Sequence, residues 1–475
     1  CMLRAICAHL DVTGGDQLIG FSPAVRSDSE IEMHEMLAPE QKVKQLGADT
    51  FPAFTYRGTS AFCDASEKVW GIRWANLVGG CYMAHPMAVF KAMAESDPYP
   101  VRAFFAMANN TLAAFANTKR AYEALMKQDL IVAFEHVLSP TAQIADYVLP
   151  GDSWLERPSM HAGISEQAMP PPGQCRNVVT FWHELAKRMG LAEQFPWATV
   201  EEMFDYRLEP GGKTWAEVVS AGRSPNLNKG QAEGDSERKY LKTGFATPTG
   251  KVELYSEVLE KLGFDPLPYY REATRPDDKY PFASFVGLPD DEFFRSGHRH
   301  VPELRQRAED PMFFLNPADI VELGMADGDW GRVETRTGAM LGRVYGRTSM
   351  PQGLVRIPHG WWKPESRRGG AHLSGMWNFN EAQLAEDEDL ALVDAEQGVP
   401  HLKGAPCAVT KLSTTEIEAL EAEYGPTTDL PRGPEGKVLK SKALPGEFDF
   451  MHDEDVGEGV EFEAAQLSLY GHYSM

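Results

Sequence analysis

Four short groups of side chains in this sequence have the composition of a ligand site. Asn109-Asn110-Thr111 and Glu135-His136 each follow an apolar run, residues 101–107 and 130–134. Amides and a hydroxyl suit phosphate and sugar oxygens. A carboxylate can accept the paired N–H donors of a guanine edge, or a ribose hydroxyl. Both groups fall where ligands bind in open α/β sheets, beyond the carboxyl ends of strands. Asn is also common in turns, so spacing alone leaves a structural role open.

The second group, Arg295-Ser296-Gly297-His298-Arg299-His300, gathers guanidiniums, imidazoles and a hydroxyl into a donor cluster for an anion. The alternative is a solvated basic loop balancing Asp290-Asp291-Glu292. The third, His359-Gly360-Trp361-Trp362-Lys363-Pro364-Glu365, sets two tryptophans beside a histidine at a strand end. One of them has an ordinary packing role; two are harder to bury from one loop. The fourth, Trp377-Asn378-Phe379-Asn380, is an amide pair between aromatics. Glu156, His161, His298 and His359 have acid–base chemistry, but the sequence assigns none of them a catalytic role and no residue a metal-ligating one.

The elements that must hold these groups are legible from periodicity. Apolar runs at 101–107, 130–134 and 144–149, with a helix carrying Tyr122, Leu125 and Met126 between the first two, suggest a parallel, right-handed βαβ layer. Val178, Phe181, Trp182, Leu185, Ala186 and Met189 recur at helical spacing and stop at Gly190. Residues 75–94 read as helix around Pro86. From about 280 the pattern changes to short strands at 282–288, 312–315, 330–335, 339–347 and 353–357, with Arg336-Thr337-Gly338 as a hairpin turn. Such a series predicts a compact β-barrel, with a domain boundary near 275.

Composition sets outer bounds. The 475 residues are 43% hydrophobic and 24% charged, as in a globular chain of two to four domains. No apolar run reaches the ~18 residues that span a bilayer. A net charge of -23 argues against nucleic-acid binding, although the segment 413–475 holds 14 acids against 4 bases. That acidic tail is read as extended or disordered, either docking a partner or simply solvated. The six cysteines form no Cys-x-x-Cys and read as buried small hydrophobes. Leu3, Ile6, Cys7 and Leu10 predict an amphipathic helix at the first residues, and a domain rarely opens mid-helix. The expectation is that an N-terminal part is missing.

The residues carry a family resemblance. Pro98-Tyr99-Pro100-Val101-Arg102-Ala103, Asn109-Asn110-Thr111 and Tyr122-Glu123-Ala124-Leu125 resemble the molybdopterin oxidoreductases of the dimethyl sulfoxide reductase family. Ser139-Pro140-Thr141-Ala142-Gln143-Ile144-Ala145-Asp146-Tyr147-Val148-Leu149-Pro150 is similar to its Thr-Ala-x-x-Ala-Asp-x-Val-Leu-Pro segment. Phe245-Ala246-Thr247-Pro248-Thr249-Gly250-Lys251-Val252-Glu253 resembles its link into the last domain. Asn316-Pro317-Ala318-Asp319, Gly324-Met325, Asp327-Gly328-Asp329 and Thr337-Gly338 resemble its dinucleotide-binding barrel. The likeness runs in order from residue 3 to 412. The segments 358–365 and 402–407 are most similar to the branch holding acetylene hydratase, pyrogallol transhydroxylase and catechol dehydroxylases.

That resemblance implies an open α/β layer followed by a C-terminal double-psi β-barrel, with molybdenum or tungsten held by two pyranopterin guanine dinucleotides. It divides the chain into the end of a substrate-funnel region (1–95), a guanine-dinucleotide layer (96–275), the barrel (276–412) and the acidic tail (413–475). Asn109, Asn110, Thr111, Glu135, His136 and Thr141 would serve one guanosine. Arg295, Ser296, His298, His300, His359 and Asn380 would line the barrel side. The family's usual Gly-x-Asn-Pro stands here as Ala108-Asn109-Asn110-Thr111, which predicts an altered turn. Its iron–sulfur motif, expected to hold a 4Fe-4S cluster, and its metal ligand precede the matched region.

Three activities remain open on this reading. Oxygen-atom or hydroxyl transfer would be coupled to an iron–sulfur electron-transfer subunit, with or without a membrane anchor and a periplasmic setting. Hydration or transhydroxylation at the same centre would be non-redox. The third is a cofactor-free scaffold like the large subunit of respiratory complex I.

Overall fold

Two of the apolar runs become neighbouring strands. β1 (Ala103–Met107) and β2 (Leu130–Glu135) pair in parallel, Ala103 opposite Leu130 and Met107 opposite Phe134. Ile131, Val132, Ala133 and Phe134 are all buried, as in a strand covered on both faces. β3 (Tyr147–Pro150) completes the order β1-β2-β3. The Asp146 carboxylate just before it accepts the Ile131 N–H at 2.7 Å. Two helices, Thr111–Ala114 and Thr118–Leu125, fill the β1–β2 connection. Asn117 starts the second one, its side chain accepting the Arg120 N–H.

The later strands close into a barrel. They are β4 (Phe282–Val286), β5 (Met312–Leu315), β6 (Trp330–Glu334), β7 (Ala339–Gly346), β8 (Leu354–Ile357) and β9 (Lys403–Lys411). Their order is β4-β8-β5-β7-β6-β9, with β4·β8 and β5·β7 parallel and the other pairs antiparallel. This is the closed six-stranded β-barrel expected after the α/β layer. Phe313, Leu315, Val333, Met340, Val344, Val355, Cys407 and Val409 fill its core. Burial pushes the Cys407 thiol up to about 12, so it packs as a hydrophobe. The β6–β7 hairpin turns at the expected place, Thr335 N–H donating to Gly338 O at 2.9 Å.

The computed structural model describes residues 2–16, 25–26, 37–70, 83–160, 165–221, 238, 241, 244–245, 247, 249–270, 274–286, 293–305, 307–364, 373, 379–385, 393–394, 396–400 and 403–424. The chain divides into two compact units. One comprises Cys1–Val89 and Leu149–Tyr270, the other Phe90–Val148 and Arg271–Met475. The first has a small aromatic core, Trp197, Phe204 and Trp215, between the helices Val178–Arg188, Val200–Leu208 and Trp215–Ser220. Asn177, Thr199 and Thr214 cap these helices, the last in a reciprocal box with Glu217. Among the described residues no helix is long and apolar enough to cross a membrane.

Several expectations are corrected. The opening helix covers only Met2–Ile6, and Leu3, Ile6 and Cys7 are exposed instead of forming a buried face. The helix at Pro86 starts there, Pro86–Glu95, because proline suits a first turn; 71–82 lie outside the described residues. The tail is not extended at its start. Thr414–Tyr424 is helical, packing Ile417 and Leu420 on the barrel. Ser413 caps it through Glu416, whose carboxyl is pulled down to about 2 by hydrogen bonds from Ser413 and by Arg332. β9 was not foreseen: Gly404 and Pro406 disguise it as a turn.

Candidate functional site

The carboxyl end of β1 is a tight polar knot. Ala108 turns the chain with φ 48°, a left-handed conformation that a glycine would favour. Asn110 precedes the helix Thr111–Ala114, so Thr111 takes the first helical position, where the family's proline would fit. Ala108 thus stands in a conformation that Gly favours and Thr111 at a position that Pro tolerates. Asn110 Oδ1 accepts from Thr141 Oγ1 at 2.9 Å, and Thr141 Oγ1 accepts the Leu112 N–H at 3.0 Å. Asn110 Nδ2 and Thr111 Oγ1 are buried without a hydrogen-bond partner.

Beyond β2, Glu135 Oε1 accepts from Ser139 Oγ at 2.8 Å, and the Ser139 side chain also caps the helix Pro140–Gln143. Burial holds the Glu135 carboxyl above the usual range, with Ser139 partly offsetting it. His136 is exposed next to it. Desolvation by its surroundings pushes His300 down although its surface is exposed, with His298 and then His136 adding to the shift.

On the barrel side, one buried guanidinium knits two loops. Arg299 Nε donates to Gly360 O at 2.9 Å, and Nη2 to His359 O at 2.6 Å and Arg295 O at 3.0 Å. Its Cζ lies 4.4 Å from the Phe293 ring centroid and 4.2 Å from that of Trp361. Trp362 Nε1 donates to Ser296 O at 2.8 Å. The loops approach so closely that a Cβ on Gly360 would sit 2.8 Å from Ser296 N. Arg295 (φ 53°) and His298 (φ 67°) are both left-handed.

The layer and the barrel join at Asn380. Its Oδ1 caps the turn Glu381–Leu384 through Ala382 N–H, and its Nδ2 donates to Leu112 O at 3.4 Å. Asn117 N–H donates to Ala382 O at 3.0 Å.

All twelve residues singled out from sequence therefore fall in one unit. Asn110, Thr111, Thr141 and Asn380 are buried; Asn109, Glu135, Ser296 and His359 are half-buried; His136, Arg295, His298 and His300 are exposed. Two readings change. Arg299 is turned inward, its Nε and Nη2 donating to buried backbone carbonyls. Trp361 and Trp362 are not near-surface aromatics: both are buried, one packed against Arg299 and the barrel core, the other bonded through its indole N–H. His161, Trp377, Asn378, Glu365 and the acids at 290–292 lie outside the described residues. Sequence reasoning missed Ser139 and Glu381. Ser139 could have been found as the N-cap signal before Pro140. Among the described residues no cluster of three His, Cys, Asp or Glu is placed to hold a metal ion.

Residues 68–188 match the family model described as molybdopterin oxidoreductase, and residues 286–380 the one described as molydopterin dinucleotide binding domain. Acetylene hydratase of Syntrophotalea acetylenica is 41% identical over 428 residues, 85% of this chain and 56% of that protein. Dopamine dehydroxylase of Eggerthella lenta is 24% identical over 481 residues, 81% and 44% respectively. The solved structure of acetylene hydratase from Pelobacter acetylenicus superposes with a TM-score of 0.76 at 39% identity, covering 87% of this chain and 58% of that one. The chain spans little more than half the length of the acetylene hydratases it matches.

Proposed function

The chain belongs to the molybdopterin oxidoreductases, the dimethyl sulfoxide reductase family, and from that premise we propose that it holds the pterin dinucleotides of a molybdenum or tungsten enzyme. Two buried atoms without partners, Asn110 Nδ2 and Thr111 Oγ1, support this most directly. A buried polar group left unsatisfied costs about 1–3 kcal/mol, so the pair suits a ligand rich in oxygen and ring-nitrogen acceptors. The rest of the donor set fits the same group. Glu135 can accept from a guanine edge, with Asn109, Asn110, Thr111 and Thr141 around the nucleoside. His136, Arg295, His298 and His300 offer donors to a diphosphate. Ser296 and His359 belong to the pterin side, while Asn380, whose polar atoms go to Ala382 N–H and Leu112 O, ties that side to the layer.

When bound, the group supplies a dithiolene-held metal centre, which carries the oxygen chemistry. The protein's part is to bind, orient and enclose it. Thr141 fixes the Asn110 amide. Arg299 sets the loops bearing His298 and His359. Glu135, kept protonated further up the pH scale by burial, can also donate at mildly acid pH.

The reaction proposed for the whole protein is hydroxyl or oxygen-atom transfer, with a 4Fe-4S cluster and an iron–sulfur electron-transfer subunit. A second reading, non-redox addition of water to a small unsaturated substrate, is favoured by the 41% identity to acetylene hydratase against 24% to the dehydroxylase. The test begins with elemental analysis and pterin quantification on protein from a host that makes the cofactor. Stoichiometric metal with twice as much pterin supports holding of the cofactor; neither metal nor pterin sinks it. Conversion of acetylene to acetaldehyde without external electron donor or acceptor would favour hydration. Strict dependence on a donor or acceptor would favour transfer.

A further inference from the structure

Glu381 is a charged residue only 2% exposed, next to Asn380 and outside every group considered above. Both of its oxygens face the loop that carries His359. Oε2 accepts the Gly360 N–H at 2.7 Å, and Oε1 lies 2.5 Å from His359 Nδ1. A carboxylate so deeply buried is costly unless paired; Oε2 has the Gly360 N–H, and Oε1 has the His359 ring at ion-pair distance, although Nδ1 is not aligned for a hydrogen bond to it. Asn380, by contrast, turns both polar atoms to backbone groups, Ala382 N–H and Leu112 O. An ionised carboxylate only accepts, so a proton on the ring nitrogen beside it is the favoured arrangement. In the neutral ring Nε2 is then an acceptor, and the imidazole keeps 22% of its surface exposed.

We propose that Glu381 is a positioning residue, fixing the orientation and tautomer of His359 so that Nε2 accepts an N–H of a bound heterocycle. A reduced pterin is the class that offers one, and to that extent the inference rests on the proposed function. Glu381→Gln tests it sharply. If the Gln carbonyl keeps the Gly360 N–H, its amide faces Nδ1, which must then accept, and the proton moves to Nε2.

Two-bond nitrogen–proton spectra of the 15N-histidine-labelled chain, in mildly alkaline buffer, read the tautomer without any cofactor. His359 is assigned by its loss in His359→Gln. The expected result is an Nδ1–H pattern in the native chain and an Nε2–H pattern in Glu381→Gln; an unchanged tautomer overturns the proposal. Release of pterin from diluted holoprotein, followed as fluorescence of its oxidised form, should be about tenfold faster in Glu381→Gln, the usual effect of losing a carboxylate that orients a ligand histidine. The same substitution should add nothing in a His359→Gln background. An equal effect in both backgrounds would reduce Glu381 to a structural role and overturn the proposal. Should Glu381→Gln not fold, Glu381→Asp keeps the charge and should retain the Nδ1–H pattern with intermediate release; loss of that pattern overturns the proposal. A native holoprotein without pterin would sink the proposed function, while the spectra still decide the hold of Glu381 on His359.

Discussion

Thr141 and Asn110, 31 residues apart, are joined side chain to side chain, the threonine hydroxyl donating to Asn110 Oδ1 over 2.9 Å. The same hydroxyl accepts the Leu112 N–H, so one oxygen ties the segments that leave β1 and β2. The amide's acceptor is thereby satisfied inside the protein, and its donor side has no partner there.

Asn110→Ala should cost about 1–3 kcal/mol, because the Thr141 hydroxyl loses its buried acceptor, and it should lower Tm and pterin content together. Asn110→Asp keeps the acceptor while removing the donors. It should lower pterin content with a smaller loss of Tm. Native pterin content in Asn110→Asp would refute a donor role for this amide.

Ala108→Gly should raise stability. A Cβ in the left-handed region costs roughly 1–2 kcal/mol, and glycine returns about 0.4–1 kcal/mol of that through its freer unfolded chain. Denaturant unfolding should therefore show a gain of up to about 1 kcal/mol with an unchanged slope. Gly360→Ala should go the other way, since φ is +66° and its Cβ would meet Ser296 backbone. No loss there would mean that the two loops are not in close contact.

Glu135 gives a pH signature. Its folded carboxyl holds its proton to higher pH than the unfolded one, mainly through burial. The native state therefore binds more protons in the window just above ordinary glutamate values, and stability falls as pH rises through it. Glu135→Gln should flatten that fall, melting above the native chain near neutrality and alongside it in acid. Thermal melts across this range check it. An identical pH dependence in both chains would contradict the burial of this carboxyl.

Arg299 and Arg295 should behave oppositely. Arg299→Met strands buried carbonyls of Arg295, His359 and Gly360, and should cost about 1–3 kcal/mol for each one left without a donor. Arg295→Ala, at an exposed guanidinium, should change stability by no more than about 0.5 kcal/mol while reducing pterin retention. Similar melting losses in the two variants would overturn this division of roles.

Much of the layer was legible because its strands are nearly continuous apolar runs, as at Ile131 to Phe134, and because turn residues follow them directly. The barrel strands β5, β6, β7 and β8 were legible from alternation and from the Gly338 turn. Identical residue types one turn apart were not separable. Arg295 and Arg299 look alike in a line of letters, and only the carbonyls of a loop some sixty residues later bury one of them. The Trp361-Trp362 pair was misjudged for the same reason: its burial depends on Phe293, Arg299 and Ser296, which no local window contains. β9 was missed because its pairing with β4 and β6, not its own composition, makes it a strand. Glu381 looked like one acid among many in an acidic chain.

The position of β9 dictates an order of events during synthesis. All twelve candidate residues emerge before Lys403, yet β4 and β6 have an open edge until Lys403–Lys411 has been made. Pairing Phe282 with Cys407 closes the longest loop of any strand pair in the barrel, a slow kind of contact that leaves strand edges bare while it waits. A nascent chain stopped near residue 400 would carry all twelve candidate side chains but no closed barrel to mount them on. It should remain open to protease where the full chain is protected.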